Sequence, residues 1–154
     1  MSDLVLEGGF GVLGFKPFAI KIREVTGQLP IFPKTYPLPE EVRYPKFESE
    51  NYKKGRWFYV EIHVGNNGIY GPAALGVVHV QDFGASMLSV YVLEPVRRLG
   101  FGRLLIEVAG ARWPNLNWND TDESRPFHRR LCSEGIAQSD GEGFYKFIPK
   151  SKRT

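Results

Sequence analysis

Between Met87 and Ala111 the chain changes its hydrophobic rhythm, and two glycines stand at the change. Met87 to Leu93 reads as a strand. Gly102 to Ala111 reads as a helix whose Leu104, Leu105, Val108 and Ala109 fall on one side. Gly100 and Gly102 occupy the handover, where glycine lets the backbone take a positive φ and come close to a ligand. A helix that starts there turns several backbone N–H groups outward, which makes an anion site. Arg97, Arg98 and Arg103 surround it with positive charge. These residues by themselves predict a phosphate or diphosphate cradle on a strand–helix turn. A dinucleotide turn of the Rossmann kind is excluded, because its third glycine would fall at Leu105. Gly8, Gly9, Gly11 and Gly14 do not form a P-loop, since no Gly-Lys-Ser/Thr follows them.

Around this junction the chain divides in two. Residues 57–154 are periodic. Trp57 to Val64 alternates, with Phe58, Val60, Ile62 and Val64 on one face and Trp57, Tyr59, Glu61 and His63 on the other. Gly65-Asn66-Asn67-Gly68 is a turn signal, and Asp82-Phe83-Gly84 closes a second hairpin. Ala74 to Val80 is nearly all apolar, as a central strand is. After the first helix, which Trp113-Pro114 stops, Leu116 to Trp118 reads as a short strand. Asp122 to Ser133 reads as a second helix, with Pro126 in its first turn and Gly135 ending it, and Phe144 to Ile148 as a last strand. Residues 1–56 read as an irregular Pro/Gly-rich region, with a strand at Phe18 to Val25 and five prolines between Pro30 and Pro45. The expected fold class is α/β (α+β): one domain of 154 residues with a mixed central sheet flanked by helices.

Composition narrows the chemistry. Hydrophobic residues are 42% and charged residues 24%, ordinary for a globular chain. A single cysteine, Cys132, excludes an internal disulfide and a multi-cysteine zinc site. His63, His79 and His128 are not at metal-ligand spacing, so no metal is expected. The longest apolar run, Leu75 to Val80, is too short to span a bilayer, and no leader-like start precedes it; a cytoplasmic protein is the expectation. The net charge of +3 allows an anionic partner, nucleic acid included, without requiring one.

Arg97-Arg98-Leu99-Gly100-Phe101-Gly102, preceded by Val92-Leu93-Glu94-Pro95 and followed by Arg103-Leu104-Leu105, resembles the signature of the GNAT superfamily of acyl-coenzyme A-dependent N-acetyltransferases. The signature is Arg/Gln-x-x-Gly-x-Gly/Ala after a strand that ends near a proline. The resemblance extends over about 80 residues, 57–154 forming the coenzyme-binding core, and leaves 1–56 unmatched. It implies acetyl-CoA as co-substrate. Backbone amides of Leu99, Gly100, Phe101, Gly102 and Arg103 would hold the diphosphate, with Arg97 and Arg98 beside them. The strand edge at Tyr91, Val92 and Leu93 would pair with the pantetheine arm, and a backbone N–H there would polarise the thioester carbonyl. An acyl group would pass directly to an amine of a small molecule or protein, with a general base taking the proton. The tyrosine that many members carry in the later helix corresponds to Leu131, which has no proton to give; His128 or Tyr145 is the alternative acid.

The candidate catalytic residues are Glu61 and Tyr91 on the strands and His128 on the second helix, with His63 a further base. Each has a plain structural alternative: a solvated charge for Glu61, packing for Tyr91, solvated surface for His128. His79 reads as a satisfied buried histidine and Cys132 as a packed apolar side chain. Segment 28–47, with Phe32, Tyr36, Tyr44 and Phe47, would either cover the acceptor site or form a surface loop. Arg125, Arg129, Arg130, Lys146, Lys150, Lys152 and Arg153 make the C-terminal third basic, which keeps a nucleic-acid-modifying enzyme open as a second reading. Leu131 motivates a third, a non-catalytic coenzyme-binding module. A homodimer paired through sheet edges is compatible with the sequence.

Overall fold

The computed structural model describes residues 2–13, 16–25, 55–66, 69–82, 84–93, 96–121 and 124–153. The proline segment, and with it the expected acceptor cover, lies outside them. Eight strands form one sheet: β1 (Ser2–Leu13), β2 (Lys16–Val25), β3 (Arg56–Asn66), β4 (Ile69–Gln81), β5 (Gly84–Val92), β6 (Asn117–Asn119), β7 (Ala137–Ser139) and β8 (Phe144–Phe147). Their spatial order is β1-β2-β3-β4-β5-β6-β8-β7. Two helices, α1 (Phe101–Arg112) and α2 (Arg125–Ser133), complete the described architecture. The fold is mixed α/β with a mostly antiparallel sheet. None of the described helices is long and apolar enough to cross a membrane.

β3 and β4 are the centre, and their sequences explain why. Phe58, Val60 and Ile62 point to the side covered by α1, where Phe101, Leu105, Ile106 and Ala109 of that helix join them in the core. The opposite face is also closed: Tyr59, Leu75 and Val77 are no more than 2% exposed. Burial on both faces is what makes β4 read as an unbroken apolar run rather than an alternation.

Among the described residues β5 and β6 are the one parallel pair, and it is brief. Only Ser86 with Asn117 and Met87 with Trp118 are in register. β5 runs on to Val92, paired with β4 on its other side, and a register shift opposite Leu88 bends it there. β6 turns instead to β8. The sheet therefore opens at Met87 and Trp118, and the edge of β5 from Leu88 onward faces the opening.

The N-terminal region departs from expectation. It is not irregular over 2–13 and 16–25: β1 and β2 form a long antiparallel pair, of which Phe18 to Val25 was the legible half. Gly8, Gly9 and Gly11, which read as loop, lie in β1. A register shift falls between Gly8 and Gly11, and a Cβ at Gly11 would sit 2.5 Å from the ring of its partner Phe18. Glycine here accommodates a bulge and a crossing aromatic ring. Gly65 and Asn66 likewise stay in a strand, paired with Tyr70 and Ile69. The second helix starts at Arg125, later than Asp122, with Ser124 in the N-cap position and its hydroxyl bonded to Thr121 rather than to the helix. β7 is an addition, too short at three residues to show a period.

Gly110 marks where α1 meets the far side of the sheet. A Cβ there would lie 2.4 Å from the ring of Phe147. Overpacking of this kind costs about 1–3 kcal/mol, more than the ~1 kcal/mol helix-propensity gain of alanine. Gly110→Ala is expected to destabilise the protein in urea titration. In a Phe147→Ala background the same change is expected to be neutral or stabilising, because only the propensity gain remains.

Candidate functional site

α1 begins with its positive end uncovered. Gly100 holds the N-cap position at φ 98° and ψ 12°, no side chain caps the helix, and the first turn holds no acidic residue. The first N–H groups of the helix thus lack intrahelical partners and carry the positive pole of the helix dipole. The preceding turn is unusual: Arg98 adopts φ 69°, the one non-glycine residue with a positive φ among those described. That conformation costs an L-residue on the order of 1 kcal/mol.

A cleft of about 510 Å³ opens in front of this helix end. The whole turn from Arg97 to Arg103 lines one wall, with Val90 and Val92 of β5. Phe127, Arg130, Leu131 and Glu134, on and just after α2, line the other. Gly102 belongs at the narrow point, since a Cβ there would lie 3.3 Å from the Phe127 ring. The arginines divide into two kinds. Arg97 donates from Nε to the Val92 carbonyl at 2.8 Å and lies over the Tyr91 ring, which fastens the end of β5. Arg103 pairs with Glu134 at 3.2 Å and ties α1 to the end of α2. Arg98 and Arg130 have no carboxylate partner among the described residues. Leu93 is engaged within the fold: its N–H donates to Ala73 and its carbonyl accepts from Val96. Any strand-like pairing with a ligand therefore falls to the residues of β5 before it.

The second group of predicted residues lies on the sheet face away from α1. Glu61 is not a solvated charge, as its place in the alternation suggested; it is 4% exposed. Arg23 Nε stands 2.8 Å from its Oε2, and His63 Nε2 stands 2.9 Å from its Oε1. A carboxylate this deep is tolerable only when so paired. The pairing register runs Lys21, Glu61, Leu75, Tyr91 across β2 to β5. Glu61 and Tyr91 thus share a row and a face, two strand spacings apart, about 10 Å. Tyr59 is buried beside them, and burial together with the Glu61 charge pushes its phenol up to about 12.

His128 is placed elsewhere. The sequence suggested a surface position, but the side chain is buried because α2 turns this residue toward Trp118 and Tyr145. Trp118 Nε1 donates to His128 Nδ1 at 3.0 Å. Indole can only donate, so Nδ1 accepts and any ring proton sits on Nε2. Burial holds the imidazole below its ordinary pKa, against a smaller upward pull from Asp120. His128 does not line the cleft; Leu131 does. Tyr145 donates to Asp120 at 2.6 Å, on the wall of a second cavity of about 490 Å³ behind α2. Arg125, Arg129 and Cys132 face that cavity from the helix, and burial raises the Cys132 thiol, as fits a packed rather than a nucleophilic cysteine. His79 is buried and stacks on Trp57 at 4.2 Å. Among the described residues no three His, Cys, Asp or Glu side chains are grouped to hold a metal ion.

The sequence missed the Asp120–Tyr145 pair, which spans 25 positions and leaves no local signal. The burial of Glu61 was legible only as a charge facing Leu75 on an apolar neighbouring strand. Comparison with protein-family models and with curated proteins finds no match to this sequence.

The His128 contact has a pH signature. Its pKa is depressed in the folded protein, so below about 6.5 the unfolded chain takes the proton first. Stability from this residue is therefore complete above that pH and is lost as pH falls toward the folded value. Urea titrations between pH 7.5 and 5 are expected to show this decline. His128→Gln, which keeps an acceptor for Trp118 but does not titrate, is expected to flatten it.

Proposed function

We propose that the chain is an acyl-coenzyme A-dependent N-acyltransferase with a GNAT-like fold. One observation carries the reading: the seam between β5 and β6 opens directly onto the uncapped, glycine-flanked N-terminus of α1. Such a helix end suits a diphosphate, and an unpaired strand edge beside it suits an extended amide-bearing arm. The strand order, with β5 and β6 the one parallel pair among the described residues, α1 following β5 and α2 following β6 in the chain, supports that fold.

The coenzyme, when bound, supplies a thioester whose carbonyl is activated toward an amine. The protein's part follows from its own groups. The N–H groups at the start of α1 hold the diphosphate without side-chain rearrangement. Arg97 fixes the end of β5, so that the exposed edge keeps its geometry. Backbone N–H groups on that edge serve as donors to the thioester carbonyl. On the Tyr91 face, Glu61 and His63 form the group that accepts the amine proton, with Arg23 holding the carboxylate in place. The departing sulfur receives no proton from α2. Leu131 is apolar, His128 is bonded to Trp118 and Tyr145 to Asp120. A thiolate leaves without such help because the thiol pKa is only about 8.5.

The nucleic-acid reading gains less support. Arg153 and Lys150 converge on Glu107, and Arg125 approaches Asp120, so three of the seven basic residues of the C-terminal third are paired with carboxylates of the fold.

Calorimetric titration with acetyl-CoA tests the proposal. Micromolar binding is expected, and Gly102→Glu, which places a carboxylate in the cradle, is expected to abolish it while circular dichroism stays unchanged. In a thiol-release assay with an amine panel, Glu61→Gln is expected to lower turnover about 10²–10⁴-fold without weakening coenzyme binding. No binding at millimolar acetyl-CoA would overturn the reading.

A further inference from the structure

We infer that His128 is a proton-sensitive anchor of α2: its protonation releases the helix from β6, and with it the Phe127 and Leu131 wall of the cleft before α1. The effect on coenzyme binding rests on the reading above; the release of α2 does not.

α2 is a nine-residue helix held by few buried groups. Its buried residues are His128 and Leu131. They face different ways. Leu131 lines the cleft with Phe127, whereas His128 turns toward Trp118 of β6 and Tyr145 of β8. The ion pairs at the two ends of the helix lie at the surface. Arg125 is 43% exposed beside Asp120, and Arg103 is 54% exposed beside Glu134. Pairs of this kind contribute little. The buried hydrogen bond from Trp118 Nε1 to His128 Nδ1 is therefore the firmest side-chain tie of α2 to the sheet.

That bond exists only with a neutral imidazole. Indole N–H donates and cannot accept, so a proton on Nδ1 sets two donors against each other and leaves a cation in a buried site. The charged and titratable groups around the ring give partial relief. Asp120, past the end of β6, favours the cation, but its carboxylate is already bonded to Tyr145 and faces Arg125. Tyr145 of β8 stays a neutral phenol, pushed up to about 12, and burial keeps Cys132 of α2 a thiol. Asp120 stays ionised, held below its usual range by the Tyr145 hydrogen bond. Between pH 7.5 and 5 the group in this cluster that changes charge is His128.

Release has a direct route to the cleft. Phe127 precedes His128 and packs on the start of α1, where a Cβ on Gly102 would lie 3.3 Å from its ring. Arg130 and Leu131 follow on the same wall. His128 holds a proton more weakly docked than released. The docking constant therefore falls below about pH 6.5, by up to about tenfold per pH unit.

Amide hydrogen exchange on the native protein reads the release without a ligand. Protection in α2 is expected to fall about tenfold relative to α1 between pH 7.5 and 5.5. Acetyl-CoA titration of the native protein and of His128→Gln reads the effect on the cleft. Gln keeps an acceptor for Trp118 and does not titrate, and the coenzyme's own phosphate titration is common to both proteins. Equal affinity is expected at pH 7.5, and binding about 2- to 10-fold weaker in the native protein at pH 5.5. The exchange measurement needs no variant, so it decides the anchor even where His128→Gln is unstable. Protection in α2 that follows α1 across the range overturns the anchor. Native affinity that follows His128→Gln down to pH 5.5 overturns its link to the cleft. Failure of acetyl-CoA to bind at either pH overturns the coenzyme reading and leaves exchange to decide the anchor.

Discussion

The hydrogen bonds between β5 and β6 stop after Met87 and Trp118, and most of what is distinctive about the molecule follows from that stop. A strand edge left open within a sheet exposes donors and acceptors that must find partners. β5 is held on its other side by its ladder to β4, interrupted once at Leu88, and at its end by Arg97 and Leu93, so the edge does not close by collapse. α1 begins at the mouth of the opening with its positive pole bare. An extended ligand with an anionic end is what such a frame accommodates. The core on the α1 side, from Phe58 to Ile106, keeps the helix end and the strand edge in fixed relation.

Electrostatics divides along the same line. At the mouth stand four arginines and Glu134, with Arg97 and Arg103 tied into the fold. On the opposite face of the sheet the charges are buried and paired, as Arg23, Glu61 and His63 show. Behind α2 a third group, Asp120 with Tyr145 and Arg125, is closed on itself. α2 separates that group from the cleft, presenting Phe127 and Leu131 to one side and Arg129 and Cys132 to the other. Proximity to basic residues in sequence is therefore a poor guide to function here. Arg129 and Arg130 are adjacent in the chain and serve different cavities.

The junction at Gly100 was legible because its chemistry is local: a period change, two glycines and nearby arginines all fall within one short stretch. The central strands were legible because burial on one or both faces imposes a period or an apolar run. Two kinds of feature were not. β1 was hidden by its glycines, which ordinarily break strands but here admit a bulge and the Phe18 ring. The environments of Glu61 and His128 depend on partners brought in by other elements: Arg23 across a strand pair and Trp118 across a turn. Alternation placed Glu61 on the correct face, yet it could not show that this face is covered. Helical spacing placed His128 near arginines, yet only its contacts with Trp118 of β6 and Tyr145 of β8 show that it turns inward.

The central claim is that the α1 terminus and the open edge of β5 form one continuous binding surface. Mapping backbone amide shifts by nuclear magnetic resonance during titration with acetyl-CoA tests it directly. The account predicts shifts at Leu99 to Arg103 and, in the same titration, along Leu88 to Val92. Shifts confined to the cavity of Asp120, Arg129 and Gly141, or at the helix terminus without the strand, would contradict it.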